Sequence, residues 1–236
     1  NTMKANTLRI SVALILLVLN SIAFSQETEA KKEDAFQHVP GDDANTHMHK
    51  HSIESMVKAF ESDERDSWQK PDEVIALMGS LKGQTVMDIG SGTGYFSFRM
   101  ADAGAMVICA DVDERFLNYI KEKKSTEGYS DDQILLRKVP YDSPGLKENE
   151  VDKVIIVNTY HHIEDRETYF AEVKTGLKPG GQLYVIDFIK EELDFGPPVS
   201  MKLTEEEVLG ELFEAGFRNF SVNTELLPYQ YLIIAE

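Results

Sequence analysis

The chain has 236 residues, of which 42% are hydrophobic, a length and composition that predict one substantial core. Its 24 Lys and Arg residues stand against 41 Asp and Glu residues, for a formal net charge of −17 at pH 7. A field of that sign repels phosphate backbones, so no nucleic-acid partner is expected. Cys109 is the only cysteine, which excludes an intrachain disulfide and any multi-cysteine metal or redox site.

Residues 1–25 have the pattern of a secretory signal peptide. Basic residues precede an apolar run from Ile10 to Phe24, and small residues occupy the positions that signal peptidase reads before an expected cut between Ser25 and Gln26. The run falls short of the roughly 20 apolar residues that a membrane span needs. We therefore expect an exported protein, periplasmic or secreted, with no stable membrane span; retention of the segment as a membrane anchor is the alternative.

The next segment, residues 26–46, is polar and rich in Glu, Lys and Asp, which is typical of a loosely ordered linker. It leads into HMHKH, where His47, His49 and His51 alternate. Such spacing suits a shared metal ion, but no nearby Cys or carboxylate completes a ligand set. We expect no metal here and interpret the histidines as the solvated entrance to a helix.

Residues 47–236 are expected to form the folded domain, and its first part, residues 47–80, to form two helices. Apolar residues between Ile53 and Phe60 repeat at the spacing of one helical face, and Pro71 begins a second helical pattern. Between them, SDERDSWQKP is expected to be a polar turn that carries Trp68. We interpret this region as a lid, in which Trp68 is either a packing anchor or a cover for a bound ligand.

Short strand-like segments alternate with helical patterns in the rest of the domain. The segments are rich in Val and Ile and read TVMDI, MVICA, QILLRKV, KVIIVN and QLYVIDF, followed by FRNFSVN and YQYLIIAE. Their alternation with helices predicts an α/β fold with a parallel sheet covered on both faces. The last two strands are joined too closely for a crossover, so they must run antiparallel. Before them, Thr204 and Glu207 form a predicted capping box, and Gly216 ends that helix.

The segment VMDIGSGTGYFSF, residues 86–98, joins the first strand to a helix, which is where α/β sheets bind ligands. A dinucleotide fingerprint would place a third glycine where Tyr95 stands, and a P-loop would continue with Gly-Lys followed by Ser or Thr. Neither pattern is present. A pyrophosphate is therefore not the expected ligand, and a P-loop is excluded.

Three motifs in order resemble those of the class I S-adenosylmethionine-dependent methyltransferases: DIGSGTG (88–94), ADVDERFL (110–117) and LKPGG (177–181). The resemblance covers roughly residues 52–236, and within the family the chain is similar to small exported bacterial proteins whose fourth strand ends in a histidine pair. It implies a Rossmann-like, seven-stranded, mostly parallel sheet with an antiparallel C-terminal strand. It also implies S-adenosylmethionine as the cofactor.

The resemblance assigns the glycine loop to the cofactor. Gly90, Gly92 and Gly94, with Ser91 between them, would let the backbone approach its methionine portion and ribose. Asp88 would orient the loop or meet the cofactor's amino group through water.

Cofactor contacts are also implied at the ends of the next strands. Asp111, beside Val112, would accept two hydrogen bonds from the ribose hydroxyls, with a helix cap as its alternative role, for which Asp113 is better placed. The usual family Asp after the third strand is missing, which leaves Asp142 either as the adenine contact or as a simple turn residue. Asn158 would lie close to the sulfonium.

The acceptor side is expected around VNTYHHIEDR, after the fourth strand. His161 and His162 are candidates for the base that removes a proton from the acceptor, and we favour His162; the alternative is that one of them only packs or caps a helix. Tyr160, Trp68 and Asp187 are expected to line the acceptor.

The acceptor itself is expected to be a small organic molecule. The cysteines of arsenite methyltransferases, an Asn/Asp-Pro-Pro-Tyr/Phe motif and a basic RNA-binding appendage are all missing from the sequence. The alternative from another functional class is a catalytically inactive cofactor-binding module of the cell envelope, since export would take the protein away from the compartment that makes the cofactor.

Overall fold

The computed structural model describes residues 51–236. The predicted signal peptide, the predicted linker, His47 and His49 lie outside this part of the chain. In order, its elements are α1 (Ile53–Phe60), α2 (Asp63–Gln69), α3 (Pro71–Leu77), β1 (Thr85–Ile89), α4 (Tyr95–Asp102), β2 (Met106–Asp111), α5 (Glu114–Glu127), β3 (Ile134–Lys138), β4 (Val151–Val157), α6 (Arg166–Gly176), β5 (Leu177–Phe188), α7 (Glu205–Glu214), β6 (Phe220–Asn223) and β7 (Gln230–Ala235). Across residues 51–236, none of the helices is both long and apolar enough for a membrane span.

One seven-stranded sheet organises the domain, with the order β3-β2-β1-β4-β5-β7-β6. The first five strands pair in parallel, and β7 runs antiparallel to both β5 and β6. The predicted α/β fold and the antiparallel C-terminal strands are therefore confirmed. Because the strand order reverses between β1 and β4, the carboxyl ends of these two strands border the crevice where such sheets bind ligands.

Two apolar layers hold helices on opposite faces of the sheet. On one face, residues of α3, α4 and α5 such as Val74, Met100 and Ile120 pack against alternate strand positions. On the other face, α6 and α7 contribute residues such as Phe170 and Leu212. Successive strand side chains point to opposite faces, which explains why the central strands are apolar along their whole length.

Side-chain caps fix where several helices begin. The predicted capping box is confirmed, because the Thr204 hydroxyl accepts from the backbone N–H of Glu207 and the Glu207 carboxylate accepts from that of Thr204. Asp113 caps α5 by accepting from the backbone N–H of Arg115, as predicted. Each cap satisfies a backbone donor that the helix itself leaves unpaired.

The expectation of two helices and a polar turn before the sheet is wrong, because residues 63–69 form a third helix, α2, and Trp68 lies on it. Acidic residues fill the first turn of α2, where their charges interact favourably with the helix dipole. The side chain of Arg65 donates a hydrogen bond to that of Gln69, one turn later. Lys70 ends α2 in a left-handed conformation, at φ 44°, immediately before Pro71.

Candidate functional site

The glycine loop after β1 takes a conformation that few other residues adopt. Gly90, Gly92 and Gly94 have φ values of 68°, 53° and 80°. A Cβ on Gly90 would lie 2.5 Å from Cγ2 of Thr159, which follows β4. The loop is therefore closely packed against the chain that leaves β4, at the topological switch point.

The loop also carries polar groups that lack partners. Ser91 is 7% exposed and Thr93 is 1% exposed, and neither side-chain hydroxyl has a hydrogen-bond partner within residues 51–236. Buried hydroxyls are normally paired, so these two fit a loop that binds a polar ligand.

Asp111 ends β2 with its carboxylate held by two backbone donors. The backbone N–H of Gly92 donates to one oxygen and that of Asp113 to the other, both at 2.8 Å. Burial raises the pKa of Asp111 to about 6, against the lowering effect of these hydrogen bonds. The carboxylate is thus fixed beside the glycine loop, where the sequence predicts the ribose contact, and Val112 lies half-buried next to it.

Asp88 lies below the loop rather than in it. Its side chain is 3% exposed and accepts a hydrogen bond from the Ser97 hydroxyl at 2.6 Å, which ties the end of β1 to α4. Burial raises the pKa of Asp88 to about 7. This geometry supports its predicted role in orienting the loop.

Helix α1 packs over the glycine loop. The Phe60 ring lies 3.6 Å from the position that a Cβ on Gly92 would take, and it stacks on Phe116 with ring centroids 5.8 Å apart. Just after α1, Glu61 accepts from Lys123 at 2.7 Å and from Tyr119 at 3.0 Å. These contacts anchor the N-terminal helices on α5, beside the predicted cofactor site.

The two histidines lie in a short 3-10 turn after β4. Nδ1 of His161 contacts the Asp187 carboxylate at 2.9 and 3.0 Å, and the rings of His161 and His162 have centroids 4.4 Å apart. Since Nδ1 is bound by a carboxylate, the tautomer and the orientation of the His161 ring are fixed. The sequence-predicted acceptor residues His161, His162 and Asp187 are thus brought together.

Two expectations for the acceptor side are wrong. Tyr160 is fully buried, stacks on Phe170 and donates to Glu211 at 2.8 Å, so it belongs to the core and does not line an acceptor. The Asp187 carboxylate is also buried and turned toward His161, so any effect it has on an acceptor passes through that ring.

The remaining predicted residues lie further out. Trp68 is half-buried and packs against Phe195 and Phe188, with ring centroids 5.2 and 6.0 Å away. Asp142 is exposed in the turn after β3. Its contact with adenine stays a prediction.

Sequence reasoning missed three polar residues near this site. Arg65 lies 3.9 Å from the centroid of the Tyr95 ring and donates to the carbonyl of Phe60 at 2.8 Å. Gln69 and Gln230 are fully buried and hydrogen-bonded to each other. Since 161 residues separate the two amides, no local pattern could have paired them.

Comparisons with known proteins agree with this geometry. A family model for a methyltransferase domain matches residues 87–185. A solved structure of an S-adenosylmethionine-dependent methyltransferase from Aquifex aeolicus is 28% identical, with a TM-score of 0.71, over 78% of this chain and 98% of that one.

Two curated relatives match a smaller part of the chain. The tRNA 5-carboxymethoxyuridine methyltransferase of Escherichia coli (strain K12) is 28% identical over 49% of this chain and 44% of its own length. A ubiquinone/menaquinone biosynthesis C-methyltransferase of Acidiphilium cryptum is 25% identical over 57% of this chain and 53% of its own. The chain therefore spans about half the length of these curated relatives.

The matched region contains the glycine loop, Asp111, Asn158 and the histidine pair. The sheet order, the glycine loop at the switch point and the comparisons all support the same assignment. Residues 87–185 therefore belong to a methyltransferase domain, and the described part of the chain is similar in sequence and fold to S-adenosylmethionine-dependent methyltransferases, whose cofactor, S-adenosylmethionine, suits this site.

Proposed function

We propose that this protein transfers a methyl group from S-adenosylmethionine to a small-molecule acceptor. The observation that carries the proposal is the fixed carboxylate of Asp111 beside a glycine loop whose hydroxyls, on Ser91 and Thr93, lack partners within the described residues. A protein that only retained the ancestral fold would not need this arrangement.

The polar groups of the glycine loop and of Asp111 suit the hydroxyl groups of the cofactor. The Asp111 carboxylate accepts hydroxyl hydrogen bonds, while the glycine loop gives close approach and two further hydroxyl groups. When bound, the cofactor supplies a methyl group activated by a sulfonium. Helix α1, through Phe60, limits the access of water to that side of the crevice.

The acceptor loses a proton to His162 in this proposal. Asp187 holds the ring of His161, and His161 in turn packs against His162. His162 is thus the catalytic base, and His161 and Asp187 are positioning residues. An imidazole is a suitable base for an O–H or N–H acceptor near neutral pH.

Charge and surroundings support a small acceptor. The relatives named above act on tRNA and on quinones, but the net charge of −17 on this chain opposes binding of a polyanion. Trp68, Phe188 and Phe195 form an aromatic cluster at the carboxyl end of β5. Such a wall suits a compact, partly apolar molecule.

Calorimetric titration of the full chain with S-adenosylmethionine and with S-adenosylhomocysteine tests the proposal. We expect micromolar binding of both, followed by methyl transfer in a screen of small acceptors. Failure of a folded chain to bind either compound would refute the function. Tight binding without transfer to any acceptor class would instead favour the cofactor-binding module.

A further inference from the structure

A chain of hydrogen-bonded side chains runs from the N-terminal helices into the crevice. Nε of Arg65 donates to Oε1 of Gln69 at 2.7 Å, and Nε2 of Gln69 donates to Oε1 of Gln230 at 2.7 Å. Nε2 of Gln230 then donates to Oδ1 of Asn158, at the end of β4. We call these four residues the amide relay.

Chemistry at one end fixes the direction of the amide relay. A guanidinium can only donate hydrogen bonds, so the Gln69 atom that faces Arg65 must be its carbonyl oxygen. Gln69 therefore donates through its amide nitrogen, and the Gln230 atom that accepts from it must be the carbonyl oxygen. Gln230 in turn donates through its own amide nitrogen. Since both glutamine side chains are fully buried, reversal of either amide would place two donors or two acceptors together without water.

The relay therefore determines which group Asn158 presents. Its Oδ1 is occupied by Gln230, so its two Nδ2 hydrogens are the group left over, and within residues 51–236 Nδ2 has no hydrogen-bond partner. The backbone of Asn158 is itself fixed, with φ at 54° and its N–H donating to the carbonyl of Ile186 at 2.9 Å.

Asn158 is half-buried at the topological switch point. The next residue, Thr159, is the one that packs against Gly90 of the glycine loop. Asn158 thus follows β4 at the crevice, beside the glycine loop on one side and the histidine turn on the other.

We propose that Asn158 is a specificity-determining residue that binds the methyl acceptor through an oxygen atom of that molecule, a carboxylate, carbonyl or hydroxyl oxygen, and disfavours an ammonium at the same place. This inference rests on the proposed function. The two N–H groups of Nδ2 donate hydrogen bonds to the lone pairs of an oxygen atom, whereas an ammonium group has no lone pair to accept them.

Asn158→Asp is the matched variant that tests the proposal. In this variant one carboxylate oxygen still accepts a hydrogen bond from Gln230. The other oxygen takes the place of the Nδ2 amino group, so a hydrogen-bond acceptor replaces a donor of similar size. Gln69→Met keeps the volume but removes the partner that sets the direction of the relay. Asn223→Asp adds the same charge on β6, where the side chain accepts from two backbone N–H groups, and serves as the control.

Three probes with one aromatic ring, benzoate, benzamide and benzylamine, would be titrated into full-length protein saturated with S-adenosylhomocysteine. The wild type and Asn223→Asp should bind benzoate and benzamide at least about tenfold more tightly than benzylamine. Asn158→Asp should reverse this order, and Gln69→Met should reduce the preference. An unchanged order in Asn158→Asp, a wild type that prefers benzylamine, or no binding of benzoate and benzamide would overturn the proposal.

Nuclear magnetic resonance of the side-chain amides gives a second readout that needs no acceptor. The NH₂ protons of Gln69 and Gln230 should exchange slowly with water, and those of Asn158 should exchange fast. Slow exchange at Asn158 would also overturn the proposal. If S-adenosylhomocysteine itself failed to bind, the proposed function would fall, while the amide spectrum would still decide the direction of the relay.

Discussion

Nδ1 of His161 lies 2.9 Å from Oδ2 of Asp187, and the two side chains are only 4% and 3% exposed. The backbone N–H of His161 also donates to the same carboxylate, at 3.2 Å. The turn after β4 is therefore tied to the end of β5 by both main chain and side chain. The His162 ring packs on that of His161, so this contact also supports the position of His162.

Replacement of His162 by Ala should lower the turnover of an identified acceptor by about 10² to 10⁴, the usual contribution of a general base. Binding of S-adenosylhomocysteine should stay within about twofold, since the base does not hold the cofactor. Steady-state kinetics and calorimetry measure the two effects. Wild-type kinetics in this variant would remove His162 from the reaction.

Asp187→Asn should reduce turnover less than His162→Ala does. It leaves His162 in place and only weakens the hydrogen bond that orients His161 beside it. The turn would lose a charge-assisted hydrogen bond of about 1.5 to 3 kcal/mol. Circular dichroism would establish that the variant folds. A variant that loses cofactor affinity rather than turnover would show that the carboxylate serves the fold of the whole crevice.

Asp111→Asn should weaken binding of S-adenosylhomocysteine by about 1.5 to 3 kcal/mol, since a charged acceptor becomes a neutral one that also presents a donor. Calorimetric titration measures the change. Asp132→Asn, on an exposed residue just before β3, is the control and should bind as the wild type does. Equal affinity for the two variants would exclude the ribose contact.

The sequence predicted the elements that depend on local pattern. The strand TVMDI agrees with β1 residue for residue, and the caps at Asp113 and Thr204 are where the side-chain chemistry places them. Helix α2 was not predicted, because its seven residues lack an apolar periodicity and its support comes from contacts distant in sequence.

Part of the candidate site was also predictable, since Asp111 ends β2 and the histidine pair follows β4, and the ends of these parallel strands share one edge of the sheet. The burial of Tyr160 and the pairing of Gln69 with Gln230 could not be predicted. Both depend on how α7 and α2 pack against the sheet, which the strand pattern does not specify.

The contribution of Asp88 and Asp111 to the stability of the ligand-free protein should decline as the pH rises from about 4 to about 7. Burial raises the pKa of Asp88 to about 7 and that of Asp111 to about 6, against about 3.9 for an unfolded Asp. At these two sites the folded state binds more protons than the unfolded state in this window, so their contribution to the free energy of unfolding decreases as the pH rises. Urea unfolding followed by circular dichroism at several pH values would measure the decline.

Asp88→Asn isolates the larger of the two contributions, because the amide still accepts from Ser97 but no longer titrates. Between about pH 4 and about pH 7, the free energy of unfolding of this variant should change relative to that of the wild type by on the order of 2 kcal/mol, in the direction of a smaller decline. The exposed Asp132→Asn variant should follow the wild type. Parallel curves for Asp88→Asn and the wild type would show that Asp88 titrates normally.

Trp68→Ala should destabilise the protein by about 2 kcal/mol, because the side chain is half-buried against Phe188 and Phe195. Urea unfolding is best followed by circular dichroism, since Trp68 is the only tryptophan and the variant loses that fluorescence. Leu77→Ala is the control on the neighbouring helix α3; its side chain is 45% exposed, so its effect should stay within about 0.5 kcal/mol. If both substitutions had equally small effects, α2 would not be held to the sheet through Trp68, and the aromatic cluster would have to be explained by ligand binding instead.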